Sequence, residues 1–249
     1  MSALAASGLF QLGCGLFSSS FVAPPELAYG AHRYSLLVDY QSFSTDKPKR
    51  RVDFRPVPDP ENAAPPGTCR FAFQLAGEFD ERPSEPARED RGFLVWRYPS
   101  RFAYRIEAPP GPRLDLQGTG ERVVIEQAGD GPTKEKAPLG EVSVDQERVK
   151  AREGHGQLSS DGKTLGEIKR ENAKLSVYWG DTLYLSDALS EAERSVRKDK
   201  EMVLYAKLDW GHWGVGERAF QVAADPSLDC EQLQRVVSVL LMAQLFTGE

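Results

Sequence analysis

Histidine and cysteine are scarce in this chain, and each scarcity removes a class of function. Among 249 residues there are only 3 His and 3 Cys. Cys14, Cys69 and Cys230 lie far apart, so they offer neither a CxxC metal pair nor a disulfide framework, and reduced thiols in a cytosolic protein are the simplest account. His32, His155 and His212 are scattered, each beside a small residue, which suits exposed turn histidines better than a metal site. No GxSxG elbow, P-loop or HExxH occurs. With 37 Asp and Glu in the chain, no carboxylate pair stands out as a glycosidase-like acid and base. No basic stripe is longer than Lys47 to Arg51, and a net charge of −6 with pI about 5.3 argues against nucleic acid, whose phosphates call for a basic face. No metal or other cofactor is implied.

Charge is also missing from the amino terminus. Residues 1–31 contain no Lys or Arg and a single charged residue, Glu26. A secretory signal would carry a positive start and a small-x-small cleavage site, and neither is evident. Gln11-Leu12-Gly13-Cys14 departs from a lipoprotein cleavage box at Gln11, where an aliphatic residue belongs. Acylation of Cys14, with Leu9, Phe10, Leu16 and Phe17 as apolar neighbours, is an alternative. The expectation is a flexible or strand-forming apolar arm over 1–31, followed by a single domain over 32–249.

What the chain has in quantity is alternation. With 40% hydrophobic and 27% charged residues it can bury one large core. Tyr34, Leu36, Val38 and Tyr40 alternate with mostly polar neighbours, and Val52, Phe54 and Val57 suggest a partner strand, so residues 33 to 57 read as a hairpin. Between its strands, the run Asp46 to Arg51 reads as a solvated loop or, in a sharper reading, as a contact for an anionic headgroup or acidic partner through Lys47, Lys49, Arg50 and Arg51. Phe71, Phe73 and Leu75 share one face of the next strand; the charged run from Glu78 to Gly92 reads as an exposed loop. From Gly92 to Gly131 the dividers Tyr98-Pro99-Ser100, Pro109-Pro110-Gly111 and Gly118-Thr119-Gly120 predict about four strands.

Leu139-Gly140-Glu141-Val142 is echoed by Leu165-Gly166-Glu167-Ile168, which follows Asp161-Gly162, a hairpin-turn pair. Leu175, Val177 and Trp179 are expected to meet Leu183 and Leu185 across Gly180-Asp181. Ser186 to Lys200 reads as a surface helix, with Ser190 and Glu193 at capping-box spacing and basic residues late. Strands follow from Met202 to Leu208 and from Arg218 to Ala223. Between them, Trp210, His212 and Trp213 form the one chemically rich loop, able to stack on a sugar or lie at a membrane interface, though packed turn indoles suffice.

The end of the chain differs from everything before it. From Val236 to Phe246 only Ser238 and Gln244 are polar, and they do not share a helical face, so a helix here is apolar nearly all round and must be enclosed. Asp225 is a candidate N-cap with Pro226 at the first helical position, and Gly248 can close the helix. About 21 residues at 1.5 Å each give about 31 Å. Asp229, Glu231 and Arg235 leave too short an uncharged run for a membrane span, so burial within the protein is the better reading. Cys230, in the first turn, reads as structural rather than nucleophilic.

About twelve strands wrapped on one apolar helix make a mainly β layout, a closed or nearly closed antiparallel barrel around its carboxy-terminal helix. Residues 160 to 249 resemble the tubby C-terminal-like barrels, the superfamily of the phospholipid scramblases and LURP-one-related proteins. The similarity lies in D-G-x-x-L-G-x-I-x-R at Asp161 to Arg170, in Tyr205 to Trp213, in Phe220-Gln221-Val222, in Leu228-Asp229 and in Val236 to Phe246. The resemblance implies a non-enzymatic module associated with lipid, an anionic membrane surface or another protein, with Lys207 joining the Lys47 to Arg51 loop as headgroup contacts. Only Glu217 is acidic where scramblases carry an acidic loop, so calcium binding and scrambling are not implied. Cytoplasmic placement, with or without peripheral membrane attachment, goes with this reading. Two alternatives stand beside it. One is an exported lipid or lipoprotein carrier with a half-barrel and helix lid, suggested by the strand series from Trp96 to Leu116; the other is an enzyme whose site assembles only in the fold.

Overall fold

A computed structural model describes residues 21–27, 31–39, 49–56, 69–82, 88–90, 93–127, 134–137, 140–143, 148–190, 192–208 and 217–247. The strands are β1 (His32–Asp39), β2 (Lys49–Pro56), β3 (Phe71–Glu81), β4 (Arg88–Asp90), β5 (Phe93–Glu107), β6 (Leu114–Gln127), β7 (Lys134–Ala137), β8 (Gly140–Ser143), β9 (Arg148–Ser160), β10 (Lys163–Glu171), β11 (Lys174–Trp179), β12 (Thr182–Ala188), β13 (Glu193–Lys198), β14 (Glu201–Leu208) and β15 (Glu217–Ala224). One helix, α1 (Cys230–Thr247), follows. The protein is thus mainly β, with one large antiparallel sheet and a carboxy-terminal helix.

The sheet runs β3-β2-β1-β15-β14-β13-β12-β11-β10-β9-β6-β5-β4, and β7 and β8 pair separately. β3, first in that order, also pairs with β5, from Gln74↔Glu107 to Glu81↔Ser100. The expected hairpin over residues 33 to 57 is present, with Leu36 opposite Phe54. In β3 the alternation is as read: Phe71, Phe73 and Leu75 are buried while Ala72 and Gln74 are exposed. The turn at Asp161-Gly162 has φ of +48° and +76°, the left-handed pair that a two-residue hairpin requires and that a glycine supplies without strain.

Several expected boundaries are corrected. The stretch read as four strands is two long ones, β5 and β6, joined at Ala108 to Arg113. Pro99 sits within β5, its carbonyl accepting the Arg82 N–H at 3.1 Å. Gly118 is a close-packing residue rather than a turn: a Cβ there would come within 2.2 Å of the His155 carbonyl and 2.4 Å of the Phe102 ring. Phe102, Gly118 and Gly156 lie side by side on β5, β6 and β9, so bare backbone makes room for an aromatic ring. The charged run from Glu78 is also partly strand, since β3 continues to Glu81 and β4 pairs with β5.

The helix expected over Ser186 to Lys200 is instead the end of β12, a turn and β13. Its Ser190 and Glu193 close the turn, each N–H donating to the other's carbonyl at 3.4 Å. The ladder with β12 and β14 satisfies backbone groups that a helix burying only a thin apolar stripe would otherwise satisfy alone. The hairpin at Gly180-Asp181 forms, but Leu183 and Leu185 lie opposite Tyr178 and Ser176, not Val177. Tyr184 and Ser186 are the buried residues of β12, because the tight turn fixes the register and one step of register exchanges the faces. Of the two echoed tetrapeptides, Gly140-Glu141-Val142 falls on β8 and Leu165 to Ile168 on β10, strands of different sheets.

α1 is the hydrophobic centre. Val237, Val239, Leu240, Leu241 and Met242 are wholly buried in one cluster with Leu36, Phe73, Leu116, Leu158 and Leu204 of the sheet. The helix starts later than expected, at Cys230 rather than Pro226. Asp229 is its cap: its carboxylate accepts the Gln232 N–H at 2.8 Å while Gln232 Oε1 accepts the Asp229 N–H at 3.2 Å. That reciprocal pair satisfies two donors, and Asp225-Pro226 belongs to the preceding turn, where Asp225 Oδ1 accepts the Ser227 N–H. Gly248 lies outside the described residues.

The reading of unpaired, reduced thiols is overturned. Cys69, just ahead of β3, and Cys230, opening α1, form a disulfide with Cα atoms 5.4 Å apart across a sequence separation of 161. That separation conceals a pairing that sheet topology brings about. On the opposite face of the sheet, Ala23 and Leu27 pack with Met202, Tyr205 and Ala223, and the Arg33 guanidinium lies 4.5 Å over the Phe21 ring. The part of the apolar arm at residues 21–27 is therefore packed, and it is a turn rather than a strand.

Candidate functional site

Among the described residues, few polar side chains are buried. The Gln234 side-chain amide donates to the Ala108 carbonyl, the Ser238 hydroxyl donates to the Gln234 carbonyl at 2.8 Å, and Tyr104 OH donates to the Leu245 carbonyl at 3.4 Å. The Ser186 hydroxyl is buried without a hydrogen-bond partner. Where the first turns of α1 meet the turn after β5, a cleft of about 30 Å³ remains between Ile106, Pro112, Leu114 and Trp179 and the helix residues Gln234 and Arg235. That volume admits about one water molecule and no ligand. Arg235 stacks 5.1 Å over the Trp179 ring and pairs with Glu231 at 3.0 Å. Burial pushes the Tyr184 phenol above its ordinary range, with the neighbouring Arg235 opposing the shift.

Outside, on the face of β9, β10 and β11 turned away from α1, lies a groove of about 710 Å³. Gln157, Glu167 and Tyr178 stand abreast across these strands by register, and Tyr178 is 49% exposed. Beside them, His155 Nε2 is 3.3 Å from Thr119 Oγ1, and Lys169 Nζ is 2.6 Å from a Glu171 oxygen. Hydrogen bonding and charge from Glu171 raise the Lys169 ammonium above its usual range and hold the Glu171 carboxyl below its own. This lining of donors, acceptors and one aromatic face suits a polar surface ligand or partner better than an acyl chain. His155 is exposed as expected, but on a strand rather than in a turn.

Towards the far end of β5 and β6, Arg122 holds Glu81 at 2.8 Å and lies 4.1 Å over the Tyr98 ring. Phe79, opposite Phe102, is 52% exposed there.

The residues nominated from sequence do not gather in one place. Lys49, Arg50 and Arg51 lie in β2, paired with Ala76, Leu75 and Gln74 of β3. Lys207 lies in β14, with β15 and β1 between it and β2. Its ammonium is 3.7 Å from Glu193, which stands opposite it on β13. The same Glu193 accepts from Tyr205, whose pKa is pushed up to about 12, first by burial and then by this carboxylate. Lys47, Trp210, His212, Trp213 and Cys14 lie outside the described residues. Sequence reasoning missed the Trp179–Arg235–Tyr184 cluster; the available signal was Arg235 itself, the charge nearest the apolar core of the helix.

Among the described residues no group of three or more His, Cys, Asp or Glu could hold a metal, and no helix is long and apolar enough to cross a membrane. No protein family, curated protein or solved structure matches this chain.

Proposed function

We propose that the protein is a non-enzymatic binding module of the tubby-like kind: a barrel of β1–β3, β5, β6 and β9–β15 around α1, with the β3–β5 pairing as its seam. It binds lipid headgroups or a protein partner through its outer surface. One observation carries this reading. The space a carrier would leave for an acyl chain is taken by α1, whose Val237, Val239, Leu240, Leu241 and Met242 have no exposed surface. Binding is thereby directed to the outer surface, with the polar groove over β9–β11 and the basic residues Lys49 to Arg51 of β2 as candidates. Flotation with phosphatidylserine-containing vesicles tests the lipid arm. The protein is expected to float with them, and Lys49→Glu/Arg50→Glu/Arg51→Glu to remain in the soluble fraction. Wild type that stays soluble with these vesicles would remove the lipid arm and leave a protein partner.

The disulfide favours a second reading, an exported protein, because such bonds persist in oxidising compartments. Intact-mass analysis of protein from its own source separates the two. A shortened amino terminus with the Cys69–Cys230 pair oxidised supports export; a complete chain with reduced cysteines overturns it.

A further inference from the structure

The two sulfurs of the disulfide stand in different surroundings. Cys69 is 7% exposed within the core cluster, whereas Cys230 is exposed at the open end of α1. By residue exposure, the side of the bond open to a thiolate from solution is that of Cys230. Besides this bond, the first turns of α1 are tied to the sheet by Leu233 in the core cluster, by the Gln234 amide on the Ala108 carbonyl and by Arg235, which lies over Trp179 and meets the Tyr184 hydroxyl. The Asp229–Gln232 cap and the Glu231–Arg235 pair belong to the helix and would move with it. Deeper in, Val236 to Ala243 is buried throughout.

We propose that the Cys69–Cys230 bond is a redox latch: a dithiol reductant attacks at Cys230, and release lets the first turns of α1 move away from the Ala108–Pro112 turn. That movement widens the apolar cleft beneath them, now about 30 Å³. The helix body from Val236 onward stays in place, so the device is a local lid on a permanent core. The latch is independent of which ligand the outer surface binds.

The exchange balances as follows. A thiolate of the dithiol forms a bond to Cys230 Sγ, the bond to Cys69 Sγ breaks, and Cys69 leaves as a thiolate that takes up a proton. The second thiol of the reductant, after losing its proton, attacks the reductant sulfur of the mixed disulfide, and Cys230 departs as a thiolate that is then protonated. Two electrons pass to the protein, the dithiol becomes a disulfide, and both cysteines become thiols. During the second step the departing charge sits at the amino-terminal end of a helix, where backbone N–H groups favour an anion.

Two measurements on the full chain test this. Brief treatment of the folded, oxidised protein with glutathione, followed by acid quench and peptide mapping, should place the adduct on Cys230. An adduct on Cys69 would overturn the assigned point of attack. Hydrogen exchange before and after reduction by dithiothreitol should then show amides of residues 230–235 and of Ala108, Gly111 and Arg113 exchanging faster by about tenfold or more, with β9–β11 less affected. No change, or an equal gain everywhere, would overturn the latch. Gln234→Ala should leave the oxidised protein protected and add to the gain in the reduced one; opening in the oxidised variant would show that the disulfide is not what holds the helix.

Discussion

Removing the disulfide by Cys69→Ala/Cys230→Ala should lower the unfolding free energy by about 5 kcal/mol. The bond spans 161 positions, and the chain-entropy relation, ΔS ≈ −2.1 − 1.5R ln n in cal/mol/K, gives about 5 kcal/mol for such a loop at 25 °C. The effect acts on the denatured chain, which regains the freedom that the cross-link removed. A loss of this size is large against the usual stability of a domain, about 5–15 kcal/mol. Equilibrium urea unfolding, followed by tryptophan fluorescence and circular dichroism, measures it. The variant should show a lower midpoint and an equal or steeper slope, because its denatured state is more expanded. A difference below about 1 kcal/mol would refute the entropic account. Three titratable thiols in the freshly unfolded, unreduced wild type would refute the bond itself, since pairing leaves one of the three cysteines free.

Leu240 has no exposed surface, so Leu240→Ala should cost about 2–5 kcal/mol in the same urea assay; a loss below about 1 kcal/mol would mean that α1 is not the core. Gly118→Ala places a methyl 2.2 Å from the His155 carbonyl and should cost about 1–3 kcal/mol, with no recovery in a Phe102→Leu background because the backbone clash remains. At high pH, Tyr205 has a folded-state pKa of about 12 against an unfolded value of about 10. Folding therefore favours its neutral form, and the stabilisation is complete below pH 10 and lost as pH rises from 10 through 12. Tyr205→Phe should flatten that loss, and a phenolate absorbance midpoint for Tyr205 near its unfolded value would contradict the burial and the Glu193 contact.

The parts of this fold legible in the sequence are those whose signal is local. The Asp161-Gly162 turn, the β1–β2 hairpin and the enclosed helix each follow from residues close in the chain: a left-handed turn pair, a period of two, an apolar surface with no polar side. The misreadings share the opposite origin. Gly118 reads as a strand divider because its partner, the Phe102 ring, comes from the neighbouring strand. Ser190 and Glu193 read as a helix cap because the same two residues serve a tight turn once β12 and β14 supply the ladder. The Cys69–Cys230 pair is invisible for the same reason, since only the topology of the sheet brings the start of β3 to the start of α1. The family resemblance joins Lys207 with Lys49 to Arg51 as headgroup contacts, but a shared positive charge carries no register: β15 and β1 stand between their strands. A surface site is assembled across strands, by residues such as Gln157, Glu167 and Tyr178 that have no relation along the chain. The sequence of a β protein packed on one helix therefore discloses its core, where chemistry is uniform and periodic, more readily than its outer face, where neighbours come from different strands.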